Sequence, residues 1–338
     1  MRHGRDSANW NWHTATSLPR WPTVVGVYLV NPSKRVIEMP NHPQLHGILM
    51  LGGRGSRLRP ISDVCKHLLP VGGRPMAVYG LELLYRCGIS TATAVVRPED
   101  ADEFRCVFDR AEGARVTDIV VQPDPAGTAD GLERCADVVE QDYIATLWGD
   151  NLFEYAPVGA VRRFLEHPAV CQLQVSESSD PQHFSTVDID ERGRVRAVVD
   201  KPEHPTTATV CTGLILFHAA TLFHAAGTVT TNDRGERDVM DCVRTFAATD
   251  EVVAEPVRGY WLDAAVSPET YYEARRFALN RGFNNPPFTD EEISSWTSTT
   301  PQARPASCST PPGVVSWNAG TAILRPAPIT AARPSTPA

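Results

Sequence analysis

No Gly-Lys-Ser/Thr tripeptide occurs in the 338 residues, which excludes the Walker-type phosphate loop. The third glycine of a dinucleotide fingerprint is missing as well, because Gly53-Arg54-Gly55 runs on to Arg57 and Leu58. The eight cysteines (65, 87, 106, 135, 171, 211, 242, 308) contain no C-x-x-C spacing and have no histidine pair beside them. That scatter argues against a zinc or disulfide framework, and the thiols read as small apolar residues. Basic excess is lacking: 32 Lys and Arg stand against 40 Asp and Glu, and a net charge of -8 argues against a nucleic-acid surface. The run Val24 to Val30 is too short to span a bilayer. It also sits too far in, without a small-residue cleavage site, for a secretion signal. There are no internal repeats. What remains is the profile of a cytoplasmic enzyme acting on small molecules.

Composition divides the chain in three. Residues 1–45 hold Trp10, Trp12 and Trp21 with no helical or strand period, and Met39 offers an alternative translation start. Residues 284–338 carry ten of the 28 prolines among Ser, Thr and Ala. Such a tail buries too little apolar area to offset its ordering entropy and is expected to be disordered. Residues 46–283 are left as one sizeable α/β domain.

Within that domain the most informative stretch is Gly52 to Met76, GGRGSRLRPISDVCKHLLPVGGRPM. It follows a short apolar run, Gly47 to Leu51, that reads as a buried first strand. A strand followed by a glycine-rich turn exposes several backbone N–H groups in a concave site suited to phosphate. Arg57 and Lys66 add two positive charges, so the stretch reads as a nucleotide-handling loop.

Downstream, strand and helix patterns alternate. Strands are expected at Ala92–Val96, Ile119–Gln122 and Tyr143–Trp148, with helices at Glu99–Arg110 and Thr128–Glu140. This alternation specifies a mostly parallel sheet covered by helices on both faces, with ligands at the carboxyl ends of the strands. Gly52, Gln122 and Asp150 then share one rim. A hairpin follows: Ser185–Asp190, a Glu191-Arg192-Gly193 turn, and Arg194–Asp200, leading into Lys201-Pro202 and a further strand, Ala208–Phe217.

Two aspartates end strands, Asp150 after Trp148-Gly149 and Asp263 after Tyr260-Trp261-Leu262. Either alone reads as a turn residue or helix cap.

In this order, the glycine loop with Arg57-Leu58, Pro60, Lys66, Leu69-Pro70-Val71 and Pro75-Met76, then Gly149-Asp150-Asn151, Lys201-Pro202 and Trp261-Leu262-Asp263, resemble the sugar-1-phosphate nucleotidyltransferases. The likeness is greatest to the glucose-1-phosphate thymidylyltransferases. It implies a Rossmann-like three-layer α/β/α fold with an inserted β-hairpin lobe for the sugar phosphate, and homo-oligomers such as many relatives form. The implied reaction couples a nucleoside triphosphate to a sugar-1-phosphate, with Mg²⁺ held by Asp150 and Asp263. Arg57, Lys66 and Lys201 would be the catalytic cations: Arg57 on the departing pyrophosphate, Lys66 on the triphosphate and Lys201 on the incoming sugar phosphate. The nucleotide would lie along Leu51, Gly52, Gly53, Gly55, Ser56, Arg57 and Lys66, with Gln122 and Gly127 at the base. Ser185, Asp200, Lys201, Thr212 and Arg234 would face the sugar phosphate.

Several positions depart from the family pattern. Ser56 replaces the usual threonine and Leu51 the usual alanine. His67 stands where the thymidylyltransferases carry glutamine, and reads as structural. Ser185 replaces a glycine, Asp200 a glutamate, and Ala264-Ala265 a Thr-Gly pair. These changes fall on sugar contacts, so the acceptor is expected to be a modified sugar or a cyclitol phosphate, such as the valienol type. Gln122-Pro123 looks like the thymidylyltransferases, whereas Gly127-Thr128-Ala129 looks like members using purine nucleotides (GTP or ATP), and the base stays open. Two other classes compete: a nucleotide-sensing subunit without catalysis, and an interaction scaffold acting through its Pro-rich tail. Retention of the five charged residues argues against the first, and the lack of a repeated recognition motif against the second.

Overall fold

The computed structural model describes residues 44–124, 126–232 and 235–284. Residues 1–43 of the expected N-terminal extension with Met39, residues 285–338 of the expected Pro-rich tail, and Arg234 lie outside the described residues.

The chain opens with β1 (Leu45–Met50), then β2 (Pro70–Val71), β3 (Arg74–Pro75) and α1 (Met76–Arg86). Next come β4 (Thr91–Val96), α2 (Ala101–Phe108), β5 (Arg115–Val121), α3 (Thr128–Glu133) and β6 (Tyr143–Trp148). After these follow β7 (Asn151–Phe153), α4 (Val158–Glu166), β8 (Cys171–Glu177), β9 (Ser185–Ile189), β10 (Val195–Asp200) and β11 (Thr209–His218). The last elements are α5 (Ala219–Thr228), α6 (Val239–Ala247), β12 (Val252–Pro256), β13 (Trp261–Asp263) and α7 (Pro268–Asn280).

The main sheet runs β10-β9-β11-β6-β1-β4-β5, with β8 on β11 and β12 on β8. The β6-β1-β4-β5 part is parallel, as the alternating pattern requires. The sense changes at β11, which is antiparallel to both β6 and β8, so the sheet as a whole is mixed. Period-two alternation sends Leu45 and Leu49 of β1 to one face and Ile48 and Met50 to the other. The first face packs against apolar residues of α1, α2 and α4, the second against those of α3, α5 and α6. This is the three-layer α/β/α arrangement. The hairpin β9–β10 is present, with Asp200 paired to Ser185.

Boundaries shift in two helices. The expected helix 99–110 begins as a single tight turn at Pro98–Asp100 before α2. The expected helix 128–140 regularises only over α3; beyond it Cys135, Ala136 and Val138 bond three residues back, so the spiral continues as tighter turns.

Candidate active site

The glycine loop leaves β1 at Leu51, whose amide is still anchored to the Val95 carbonyl at 2.8 Å. Its side chain is fully buried and fills the space left by Gly149; a β-carbon there would lie 2.2 Å from Leu51 Cδ2. Leu51 therefore reaches the site through its backbone. Gly55 has φ +62°, a conformation that favours glycine, and a β-carbon on it would press on the Lys66 stem at 3.0 Å. A β-carbon on Gly53 would meet Lys66 Cε at the same distance. The glycines thus let the loop close over the lysine. Ser56 and Arg57 lie exposed on the short turn Ser56–Leu58.

Lys66 points inward and is ion-paired to Asp150 Oδ2. Asp150 follows β6, and Asp263 ends β13. They meet because β13 pairs antiparallel with β7, placing Asp263 opposite Asn151, while the Ala264 amide bonds the Asp150 carbonyl at 2.9 Å. Asn151 donates to Asp150 Oδ1 at 3.0 Å and accepts from Trp261 Nε1 at 3.0 Å, so one amide ties both aspartate-bearing segments together.

The electrostatics follow from that proximity. Burial would raise the Asp150 carboxyl, but the Lys66 ammonium outweighs it and holds the group below the usual carboxylate range. Asp263 is pushed up, first by burial and then by the Asp150 charge, against the pull of Lys66 and Arg57. The Lys66 ammonium stays above its ordinary value because Asp150 and Asp263 overcome its own burial. His67 is buried against the loop, bonded to the Leu51 backbone and 4.0 Å from Asp150. Burial, with Lys66 beside it, lowers its imidazole to about 3, so the ring is neutral. It supports the loop rather than facing a base.

Gln122 is buried just past β5. Its side-chain amide donates to the Gly127 carbonyl at 2.9 Å and to Asp130 Oδ2 at 2.8 Å. Gly127, with φ +103°, lies so close to Arg237 that a β-carbon would be 2.2 Å from its carbonyl oxygen. The Thr128 hydroxyl donates to Asp238 and accepts from the Val239 amide at the start of α6. The threonine that suggested a purine site therefore has a structural task here.

At the other rim, Ser185 Oγ donates to Asp200 Oδ1 at 2.9 Å. Lys201 has φ +45°, a strained conformation for a side-chain-bearing residue, with its amide held by the Phe184 carbonyl at 3.0 Å. Phe184 packs edge-on against Trp261. The Thr212 hydroxyl is fully buried and donates to the Gln174 carbonyl at 2.8 Å, so it is committed within the fold.

A profile of the nucleotidyl transferase family matches residues 46–281. The chain belongs to this family. It is 28% identical over 239 residues to the low-salt glycan biosynthesis nucleotidyltransferase of Haloferax volcanii, covering 70% of this chain and 66% of that protein. It is 30% identical over 239 residues to the glucose-1-phosphate thymidylyltransferase of Xanthomonas campestris pv. campestris, covering 69% of this chain and 80% of that one. A Bacillus anthracis structure described as a glucose-1-phosphate thymidylyltransferase, in complex with sucrose, superposes with a TM-score of 0.64. It is 26% identical and covers 71% of this chain and 98% of that one.

For this nucleotidyl transferase, the donor set tests whether a metal fits. Two carboxylates converge, one of them raised by the charge of the other, and among the described residues they are not joined into a cluster of three or more metal-ligating groups. Hard oxygens in that number suit Mg²⁺, which draws its remaining ligands from water and phosphate. Two residues of consequence have no role assigned from the sequence. Asn151 stands in the Gly149-Asp150-Asn151 motif directly after the aspartate; Asp130 has one local partner, Arg134 four residues on, but Gln122 and Arg237 come from outside its helix.

Proposed function

We propose that the protein transfers a nucleotidyl group from a nucleoside triphosphate to a sugar-1-phosphate or sugar-like 1-phosphate, giving an NDP-sugar and pyrophosphate. The observation that supports this best is the convergence of Lys66, Asp150 and Asp263 beneath the glycine loop. An acceptor phosphate oxygen attacks the α-phosphorus in line, the bond to the β-phosphate oxygen breaks, and pyrophosphate leaves. The attacking phosphate is already ionised at neutral pH, so positioning and charge neutralisation do most of the work. Lys66 holds the triphosphate, Arg57 the departing pyrophosphate and Lys201 the acceptor phosphate. Asp150 and Asp263 would hold Mg²⁺, which supplies charge neutralisation on the nucleotide phosphates. Backbone N–H groups of Gly52, Gly53, Gly55 and Ser56 line the phosphates. Substrates of this kind place the enzyme in the cytoplasm.

At the acceptor end Asp200 reaches one methylene less far than a glutamate and is already hydrogen-bonded by Ser185. This favours an acceptor other than plain glucose-1-phosphate, in our reading a modified sugar or a cyclitol phosphate. The test is pyrophosphate release with Mg²⁺, crossing five triphosphates against a panel of sugar and cyclitol 1-phosphates. Turnover with an altered acceptor and weak use of glucose-1-phosphate is expected. Ordinary efficiency with glucose-1-phosphate would remove the acceptor argument, and silence from folded protein that binds nucleotide would favour a regulatory subunit.

A further inference from the structure

Gln122 is held in one orientation by a network that begins well outside the catalytic groups. Both hydrogens of its amide are committed to acceptors, the Gly127 carbonyl and the Asp130 carboxylate. The assignment of N and O is chemically forced, since the reverse would set the amide oxygen against two other oxygens. Asp130 is itself buried and triply held. It accepts from Arg134 Nε at 3.0 Å and from Arg237 at 2.8 Å, in addition to Gln122. Arg237 is braced in turn by Glu133 at 2.7 Å, and its backbone brackets Ala126 and Ala129 on either side of Gly127. These bonds keep Asp130 ionised below the usual carboxylate range, against the effect of its burial. The outcome is directional. With its NH₂ turned inward, Gln122 presents only its carbonyl oxygen, and that oxygen lies on the Gly52 side: a β-carbon on Gly52 would stand 2.8 Å from it.

We infer that Asp130 is a positioning residue that locks Gln122 as a hydrogen-bond acceptor and thereby selects a keto nucleobase. This rests on the proposed nucleotidyl transfer and on Gln122 meeting the base edge. Thymine and uracil carry a proton on ring nitrogen N3, and guanine carries one on N1; each can donate to a fixed carbonyl. Cytosine N3 and adenine N1 are lone pairs at the same place on the edge, and a carbonyl that cannot turn repels them. A site built around one fixed polar group discriminates more steeply than an apolar one, because the wrong partner leaves a buried group unpaired. The lock therefore cuts across the pyrimidine–purine question. It admits thymidine, uridine or guanosine triphosphate and rejects cytidine and adenosine triphosphate, while ring size is decided elsewhere.

The test uses the full chain with Mg²⁺. Binding of dTTP, UTP, GTP, CTP and ATP is measured by calorimetry without acceptor, followed by kcat and KM wherever turnover occurs. A keto-base triphosphate should bind tightest and exceed the amino base of its own ring class by about 30-fold or more. In Asp130→Asn the neighbouring amide can present either its oxygen or its NH₂, so only the Gly127 carbonyl still orients Gln122 and the lock is loosened. The keto preference should narrow about tenfold, through KM more than kcat and with a gain for CTP or ATP. Arg134→Met, which loosens Asp130 without removing it, should narrow the preference by about threefold in the same direction, and carries the test if Asp130→Asn does not fold. Proportional weakening of all five triphosphates in both variants would make Asp130 merely structural and overturn the inference. Wild-type binding without keto preference would overturn it while leaving nucleotidyl transfer standing. Failure to bind any triphosphate would remove both.

Discussion

At the proposed phosphate end of the site Lys66 is 18% exposed and ion-paired to a buried Asp150, whereas at the proposed acceptor end Lys201 is 40% exposed and 3.8 Å from Asp200. The first lysine lies under a glycine loop and is flanked by two carboxylates and a buried neutral histidine. The second stands at the end of a hairpin, in a backbone conformation that non-glycine residues rarely adopt. The contrast separates what the reaction always needs from what varies with substrate. Charge neutralisation around a triphosphate benefits from fixed, buried groups that need no reorganisation. In the proposed reading, recognition of an acceptor falls to the open rim, where one methylene or one hydroxyl can change the partner without disturbing the core.

Breaking the buried end should have the largest effect. Asp150→Asn removes the carboxylate that pairs with Lys66 and is proposed to hold the metal, and kcat should fall about 10³-fold while circular dichroism stays that of the native fold. Residual turnover within tenfold of wild type would mean that Asp150 is not at the reaction centre. At the open rim, Lys201→Gly should raise KM for the acceptor phosphate about 30-fold, the scale of a lost charged hydrogen bond. The melting temperature should hold, because glycine accepts the positive φ at that position. A matching loss in KM for the triphosphate would erase the distinction between the two ends.

Two smaller tests sharpen the comparison. Asp263→Asn removes a carboxylate raised by burial and by Asp150, so without Mg²⁺ its melting temperature should rise, by about 5 °C, while Mg²⁺ no longer adds stability. An unchanged melting temperature would show that the two carboxylates do not strain one another. The same variant also exposes the pH dependence of the buried histidine. His67 has a folded value of about 3 against an ordinary 6.5, so its stability contribution is complete above 6.5 and is lost as pH falls toward 3. A raised Asp263 opposes this in wild type, since its contribution is lost as pH rises from its ordinary value. With Asp263 removed, chemical denaturation from pH 8 to pH 5 should register a loss of about 2 kcal/mol from His67 alone. His46, buried between Thr91 and Thr93 and also lowered, acts in the same direction.

The contiguous parts of this architecture were legible in the sequence. The strand Tyr143–Trp148 has the expected bounds, the hairpin 185–200 differs only at its turn, and the glycine loop does follow a fully buried strand. Each of these is written in neighbouring residues, where hydrophobic period and turn chemistry act locally. The partnerships were not legible. That Asp263 would pair across to Asn151, that Thr128 would accept from the first amide of α6, and that Asp130 would hold Gln122 all depend on segments brought together by the sheet. Nor does the sequence around Gln122 show that tertiary contacts occupy the donor half of its amide. The buried contact of Leu51 with Gly149 likewise joins segments far apart in the chain.

The two-stranded ribbon β7–β13 carries one more implication. It joins the segment after β6 to the last stretch before α7, closing a loop of roughly 110 residues, a costly contact to form early. On the ribosome, a nascent chain that has exposed everything through β12 would already own the glycine loop, Lys66, Asp150 and the acceptor hairpin, but not Asp263. The half-built protein could cradle phosphate without a complete metal pair. Chemistry would therefore begin only when the C-terminal part of the domain docks, so that catalytic competence reports that the domain has been finished.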